Sequence, residues 1–324
     1  MRQARPDQGA PNWQIWAALL VVYIVWGSTY LGIRIVVETM PPLLSASARH
    51  ILAGLILAAF VVLRHGRGAW RLNRAELLAT GFVGLALLLG GNGLVMLGER
   101  DVPSGLAALI IAVVPLFVVI LRLMFGERVV PGTVIGVGLG LVGMAVLIVP
   151  RGIDGSVSMI GMLMLVAASL SWSIGSYFSK RVSLPRDPLV STGAQMLLGG
   201  LGLAVAGLLT GEAGMMHPEN FSTGSLLAFA YLVTFGSVLA YTAYTWLLVH
   251  APVSKVATYA LVNPVVATFL GVLYGESIDI TMIIGAVLIV ASVGLVLVTE
   301  SRPTHTTGAL EAHHPPPEAE RTTR

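Results

Sequence analysis

Predominantly apolar stretches recur along the chain at 13–35, 43–63, 76–97, 103–124, 131–149, 158–179, 189–209, 224–248, 253–274 and 281–299. Most match the roughly 20 residues that an α-helix needs to cross a ~30 Å hydrocarbon core. Segments 102–121, 129–150 and 256–275 contain no Asp, Glu, Lys or Arg. The second stretch is the least clean, because Arg49 and His50 interrupt it. The short period-two segments of a membrane β-barrel are not visible anywhere. The pattern predicts an all-α polytopic membrane protein of ten transmembrane helices.

Composition supports that reading. Charged residues make up 11% of the chain and hydrophobic ones 56%, against roughly 25% charged in an ordinary soluble domain. A surface with so few charges must largely face lipid. The formal net charge of +3 would suit an anionic partner such as nucleic acid, until the basic residues are located. Fifteen of them fall in one set of alternate segments: the N-terminus, 64–75, 122–130, 180–188, 249–255 and the C-terminus. The opposite set has only Arg100 and Arg151, with Arg34 and Arg49 assigned to helices. The positive-inside rule then predicts a cell (inner or plasma) membrane protein with both termini cytoplasmic and no nucleic-acid partner. The basic start followed by an apolar run looks like a secretory signal, but nine further spans make it a first membrane helix. The absence of cysteine excludes disulfides, thiolate catalysis and Cys-ligated metals. Residues 1–12 and 301–324 read as cytoplasmic tails, the second disordered from its Pro, Glu, Thr and His content. His313 and His314 have no further ligand at closing distance, and no cofactor is expected.

The chain repeats itself. Pro103, Pro115, Gly126 and Glu127 are each followed 149 residues later by the same residue, at Pro252, Pro264, Gly275 and Glu276. Trp26 and Arg34 are echoed by Trp172 and Lys180. The halves are 13–150 and 157–300, with five spans each. An odd number of spans turns the second half upside down relative to the first. Secondary transporters typically use such inverted repeats and place their sites near the midplane between them. Pro115 and Pro264 lie mid-helix, where proline removes a backbone donor and kinks or unwinds the helix, so the pair is the predicted hinge. Gly132, Gly136 and Gly140 form a ridge of small residues. That ridge has two uses open to it: packing within the chain, or a homodimer through the fifth and tenth helices.

Several further segments carry a resemblance. Val25-Trp26-Gly27-Ser28-Thr29-Tyr30, Pro41-Pro42, Arg49, Gly91-Asn92-Gly93 and Glu99 are similar to the drug/metabolite transporter superfamily, and within it to EamA-type, YedA-like permeases. Val102-Pro103-Ser104-Gly105, Gly126-Glu127, Ser171-Trp172, Val262-Asn263-Pro264-Val265 and Gly275-Glu276 fit the same group over about 13–300. The resemblance implies a ten-helix transporter exporting small amino-acid-like metabolites or drugs, and does not name the substrate.

Polar and aromatic residues within lipid-embedded helices should face the bundle interior. Trp26, Ser28, Tyr30, Asn92, Trp172, Ser176, Tyr241, Tyr244 and Asn263 are therefore the predicted substrate cavity, which is neutral, aromatic and hydrogen-bonding. Arg49, about 9 Å inside the outer end of its helix at 1.5 Å per residue, is expected to snorkel or to pair with Glu99 or Glu38 near the outer mouth, in preference to binding substrate. His50 beside it is expected to be satisfied. No carboxylate lies mid-span, so proton antiport has no residue to support it. The Gly138–Gly143 match to a dinucleotide fingerprint lacks any surrounding βαβ unit and carries no weight. The alternatives are a membrane-embedded enzyme or lipid-handling protein, which would need an interfacial polar cluster, and a non-transporting scaffold, which would lack a central cavity.

Overall fold

A computed structural model of the protein describes residues 11–251, 256 and 258–300. Most of both tails, His313, His314, Pro252 and Lys255 lie outside the described residues. The described residues form helices joined by short turns and loops. The membrane helices are α1 (Asn12–Val37), α2 (Pro42–His65), α3 (Arg74–Gly98), α4 (Ser104–Met124), α5 (Pro131–Asp154), α6 (Met159–Ser179), α7 (Pro188–Leu209), α8 (223–250), α9 (Tyr259–Leu273) and α10 (Ile280–Glu300). Among the described residues nine are long and apolar enough to cross a membrane, and α9 contributes a shorter apolar helix. All ten predicted stretches are found, the second included: Arg49 and His50 sit inside an unbroken α2.

Local chemistry explains the boundaries. Helices α2, α5 and α7 begin with proline at the first turn, where a missing N–H costs nothing. Asn73 and Glu76 close a capping box at the start of α3, and Asp187 accepts the Leu189 and Val190 N–H groups at the start of α7. Gly126 and Gly275 follow α4 and α9 with φ of 77° and 98°, the left-handed turn that ends a helix and that glycine adopts without strain.

Three helices are irregular, and the irregularities matter for the site. In α3 the stretch Leu85–Gly93 winds as a π-helix, and in α8 the stretch Leu232–Leu239 does the same. These are the third helices of the two repeats. Helix α4 is broken by a turn at Ala112–Val113 into Ser104–Ile111 and Val114–Met124. Pro115 therefore lies in the first turn of a new helical piece. Pro264 lies inside a continuous α9.

Side-chain packing accounts for the glycine ridge. A Cβ on Gly132, Gly136, Gly140 or Gly143 would come within 2.4–2.9 Å of Thr299, Val296, Ser292 or Leu288. Close backbone approach of α5 to α10 of the same chain explains why only glycine fits there. The ridge packs against α10 within the bundle.

The ten helices put the start of α1 and the end of α10 on one face, here the terminal face. On the opposite, far face the repeats are tied together by carboxylates. Glu276 accepts the Ser104 and Gly105 N–H groups at the start of α4, at 2.6 and 3.0 Å. Glu212 accepts the Leu43 and Leu44 N–H groups at the start of α2, at 3.1 and 2.9 Å. Both place a negative charge where the helix dipole is positive. In both cases a residue of the second repeat caps a helix of the first.

Candidate functional site

A cavity of about 110 Å³ lies between the repeats. Helix α1 contributes Trp26, Thr29 and Tyr30, α2 contributes Arg49, and α3 contributes Gly91 and Asn92. The broken part of α4 supplies Ala108, Ile111, Ala112 and Val114. From the second repeat come Ala168 and Trp172 on α6, Tyr241 on α8, and Tyr259, Ala260, Asn263 and Pro264 on α9.

The two π-helical stretches shape its walls. In α3 they bring Gly90 and Gly91 against α6: a Cβ at Gly90 would lie 2.0 Å from Ser171 Oγ, and one at Gly91 2.7 Å from the Trp172 ring. Ser171 Oγ donates to the Ala86 carbonyl at 2.8 Å, a carbonyl within the widened turn. In α8 the wide turn presents the Gly236 carbonyl to Trp26 Nε1 at 3.2 Å and Ser237 Oγ to Arg49 Nε at 2.9 Å. Such single π segments recur at functional sites because they free backbone groups and re-aim side chains.

Aromatic rings form one wall. Trp26 meets Tyr241 and Tyr259 edge-on at 5.3 Å each and lies tilted against Tyr244 at 5.0 Å. Tyr244 supports the cavity from behind this wall. With its amide oriented to satisfy its neighbours, Asn263 donates to the main-chain oxygens of Tyr259 and Tyr23 at 3.2 Å. It thus ties α9 to α1 beside Pro264, in addition to lining the cavity.

Most of the predicted cavity residues converge: Trp26, Tyr30, Asn92, Trp172, Tyr241 and Asn263 line the same space. Ser28, Ser176 and Tyr244 do not. Ser28 bonds the Val25 carbonyl and the Tyr231 hydroxyl and faces a second groove, of about 460 Å³, between α1, α8 and α9. Ser176 is half-buried away from the cavity, its carbonyl accepting from Ser179. Helical spacing set both serines near the aromatic residues along the chain, but their azimuth points elsewhere. Of the predicted hinge pair, Pro264 lines the cavity and Pro115 does not, although its neighbour Val114 does.

Arg49 corrects the expectation most. Its side chain is buried and lines the cavity, with Nε bonded to Ser237 and Nη1 without a partner. It neither snorkels nor forms an ion pair with Glu99 or Glu38; Glu38 instead accepts from the Tyr274 hydroxyl at 2.9 Å. Depth along α2 can be counted from the sequence, but the direction of the side chain cannot. The cavity is consequently not neutral. His50 is also fully buried with neither ring nitrogen bonded, contrary to expectation.

Glu99, just past the end of α3, is fully buried, and neither carboxyl oxygen has a hydrogen-bond partner. Burial, with Glu276 nearby adding to it, pushes its carboxyl well above the usual range. Arg34 donates to the Glu99 and Arg100 main-chain carbonyls at 2.7 Å, not to the carboxylate. Sequence reasoning missed Tyr259 and Thr29 in the cavity, and the cap role of Glu212 and Glu276. The clue for the caps was a helix start at Pro103-Ser104-Gly105 with no acidic residue of its own to fill it.

Comparison with known proteins agrees with this architecture. The EamA-like transporter family matches the chain twice, over residues 12–149 and 159–298. The uncharacterized inner membrane transporter YedA of Escherichia coli (strain K12) is 37% identical over 268 residues, covering 82% of this chain and 84% of that one. A probable amino-acid metabolite efflux pump of Salmonella typhimurium (strain LT2) is 29% identical over 290 residues, covering 85% and 91%. A solved crystal structure, with which the chain shares 21% identity, superposes with a TM-score of 0.61 over 90% of this chain and 98% of that one, a likeness of fold.

Proposed function

The chain belongs to the EamA-like transporter family, and from that premise we propose that it exports a small amino-acid-like metabolite or drug by alternating access between its two inverted repeats. It is a multi-pass membrane transporter. One observation carries the finer reading: a single cavity is walled by α1–α4 of the first repeat and α6, α8 and α9 of the second. A site shared by two inverted repeats can be opened to either face by exchanging their conformations.

In this reading Trp26, Tyr30, Asn92, Trp172, Tyr241 and Asn263 contact the substrate, with Pro264 as hinge. The repeats take 13–150 and 157–300 as their bounds. The basic segments place the terminal face, and with it residues 1–12 and 301–324, in the cytoplasm of a cell whose inner or plasma membrane holds the protein. The far face is then external, and its carboxylate caps hold the external side closed. An amino-acid-like cargo is supported by the likeness to the probable amino-acid metabolite efflux pump of Salmonella typhimurium and by the size of the cavity. At about 110 Å³ it falls below the roughly 300–1,000 Å³ of drug-sized sites.

The test is efflux of a radiolabelled amino-acid and metabolite panel from proteoliposomes. At least one compound should move in a protein-dependent way, and Trp26→Ala and Trp172→Ala should each slow it about tenfold or more, since each removes a half-buried aromatic ring that lines the cavity. Unchanged rates in both variants would remove the cavity from the transport path.

A further inference from the structure

The cavity wall is unbalanced in charge. Among its lining residues Arg49 is the one cation, and there is no Asp or Glu. A guanidinium stays protonated under any ordinary condition, and a charge buried in a membrane protein requires a partner. Arg49 has a single hydrogen bond, from Nε to a neutral hydroxyl. Its Nη1 is buried and unpartnered. No carboxylate of the described residues lies within ion-pair distance. The guanidinium is also held in place: a Cβ at Gly236 would lie 3.2 Å from Nη2, so the glycine of the α8 π-turn leaves room for the fork while Ser237 fixes its base.

Resting on the small-metabolite reading above, we propose that Arg49 is the receptor for a substrate carboxylate, and that the cargo class is small carboxylates with an apolar body. A fixed guanidinium fork offers two parallel N–H donors, the geometry that carboxylates match bidentately. The rings of Trp26, Trp172 and Tyr259 take the apolar part. No lining acid is available for an ammonium, so the carboxylate is the required group and the amine is not. This is narrower than "amino-acid-like", because it separates the carboxylate of an amino acid from its amine.

Four probes of one skeleton test it on the purified full chain: leucine, 4-methylpentanoate, leucinamide and isoamylamine. Binding is read from intrinsic tryptophan fluorescence, since Trp26 and Trp172 line the cavity. Leucine and 4-methylpentanoate should bind with similar affinity, and the amide and amine about tenfold or more weakly, as expected for losing a charge-assisted bond. Arg49→Gln should abolish that preference, and Arg49→Lys should keep part of it, because a point charge replaces the fork. Equal binding of the amide and the acid by the native protein overturns the carboxylate assignment and leaves the small-metabolite reading standing; this comparison needs no variant to fold. An unchanged preference in Arg49→Gln likewise overturns Arg49 as the receptor. Binding of none of the four overturns both readings.

Discussion

The two repeats carry the same sequence marks and use them differently. Gly126-Glu127 closes α4 and Gly275-Glu276 closes α9, each after a left-handed glycine. Yet Glu276 reaches into the first repeat and caps α4 through two backbone N–H groups. Glu127 is instead held by side chains: Arg122 Nε at 2.9 Å, the Tyr177 hydroxyl at 3.0 Å, and Arg181. The Arg122 bond first, then Tyr177 and Arg181, keep its carboxyl below the usual range. The third helices behave in the opposite way, since α3 and α8 both carry a π-helical stretch and both face the cavity. Duplication thus preserves the wall of the site while the closing elements occupy different arrangements. A transporter that alternates between faces needs that combination: a common site, and gates that are never in the same state together.

The sharpest way to break the comparison is to remove the cap that, among the described residues, Glu276 makes and Glu127 does not. Glu276→Ala leaves two N–H groups at the α4 start without their acceptor, a loss of about 1–2 kcal/mol for a helix cap, or roughly five- to thirtyfold in a conformational equilibrium. The chain has no cysteine, so a single cysteine at Thr29 reports access to the cavity cleanly. Its labelling by an impermeant maleimide from the far face should accelerate about tenfold or more in Glu276→Ala. An unchanged rate would show that the cap does not hold the far face closed.

The prolines come next. Pro264→Ala supplies an N–H that can rejoin the α9 ladder at a point lining the cavity, stiffening the helix by about 1 kcal/mol for one regained backbone bond. Transport should slow several-fold. Pro115→Ala acts in the first turn of an already interrupted helix, where proline's missing donor is of no consequence, and should change transport less than about twofold. Equal effects would restore the two prolines as a matched hinge pair.

What the sequence makes legible follows from what is periodic or additive. Ten spans, their length and the duplication rest on run length and a constant offset, and all are found in the helices. Trp26, Tyr30, Asn92, Trp172, Tyr241 and Asn263 could be found because a polar or aromatic group deep in lipid has few places to go. Ser28 and Ser176 failed the same rule because a serine can satisfy itself on a nearby carbonyl or hydroxyl without a cavity. Arg49 was placed at the right depth and given the wrong neighbour, since the direction of its side chain depends on the π-turn of α8 and on Gly236. That turn leaves no mark in the apolar pattern of 224–248. The caps by Glu212 and Glu276 are contacts between residues more than 160 positions apart, which no local motif encodes.

The smallest effect is expected at Glu127, and it is the more informative for being small. Its side chain is about one-third exposed, as are its arginine partners to similar degree, and exposed pairs of this kind contribute little to stability. Glu127→Gln keeps the shape and removes the charge. In contrast with Glu276→Ala, it should change the Thr29Cys labelling rate from the far face less than about threefold, because no helix start of the described residues depends on it. High salt should weaken the native Arg122–Glu127–Arg181 cluster in the same direction and affect the half-buried Glu276 cap less. A large effect of Glu127→Gln would mean that this carboxylate already acts as a gate in the present state. The two halves would then differ in partner but not in duty, and the asymmetry of the closing elements would lose its link to alternating access.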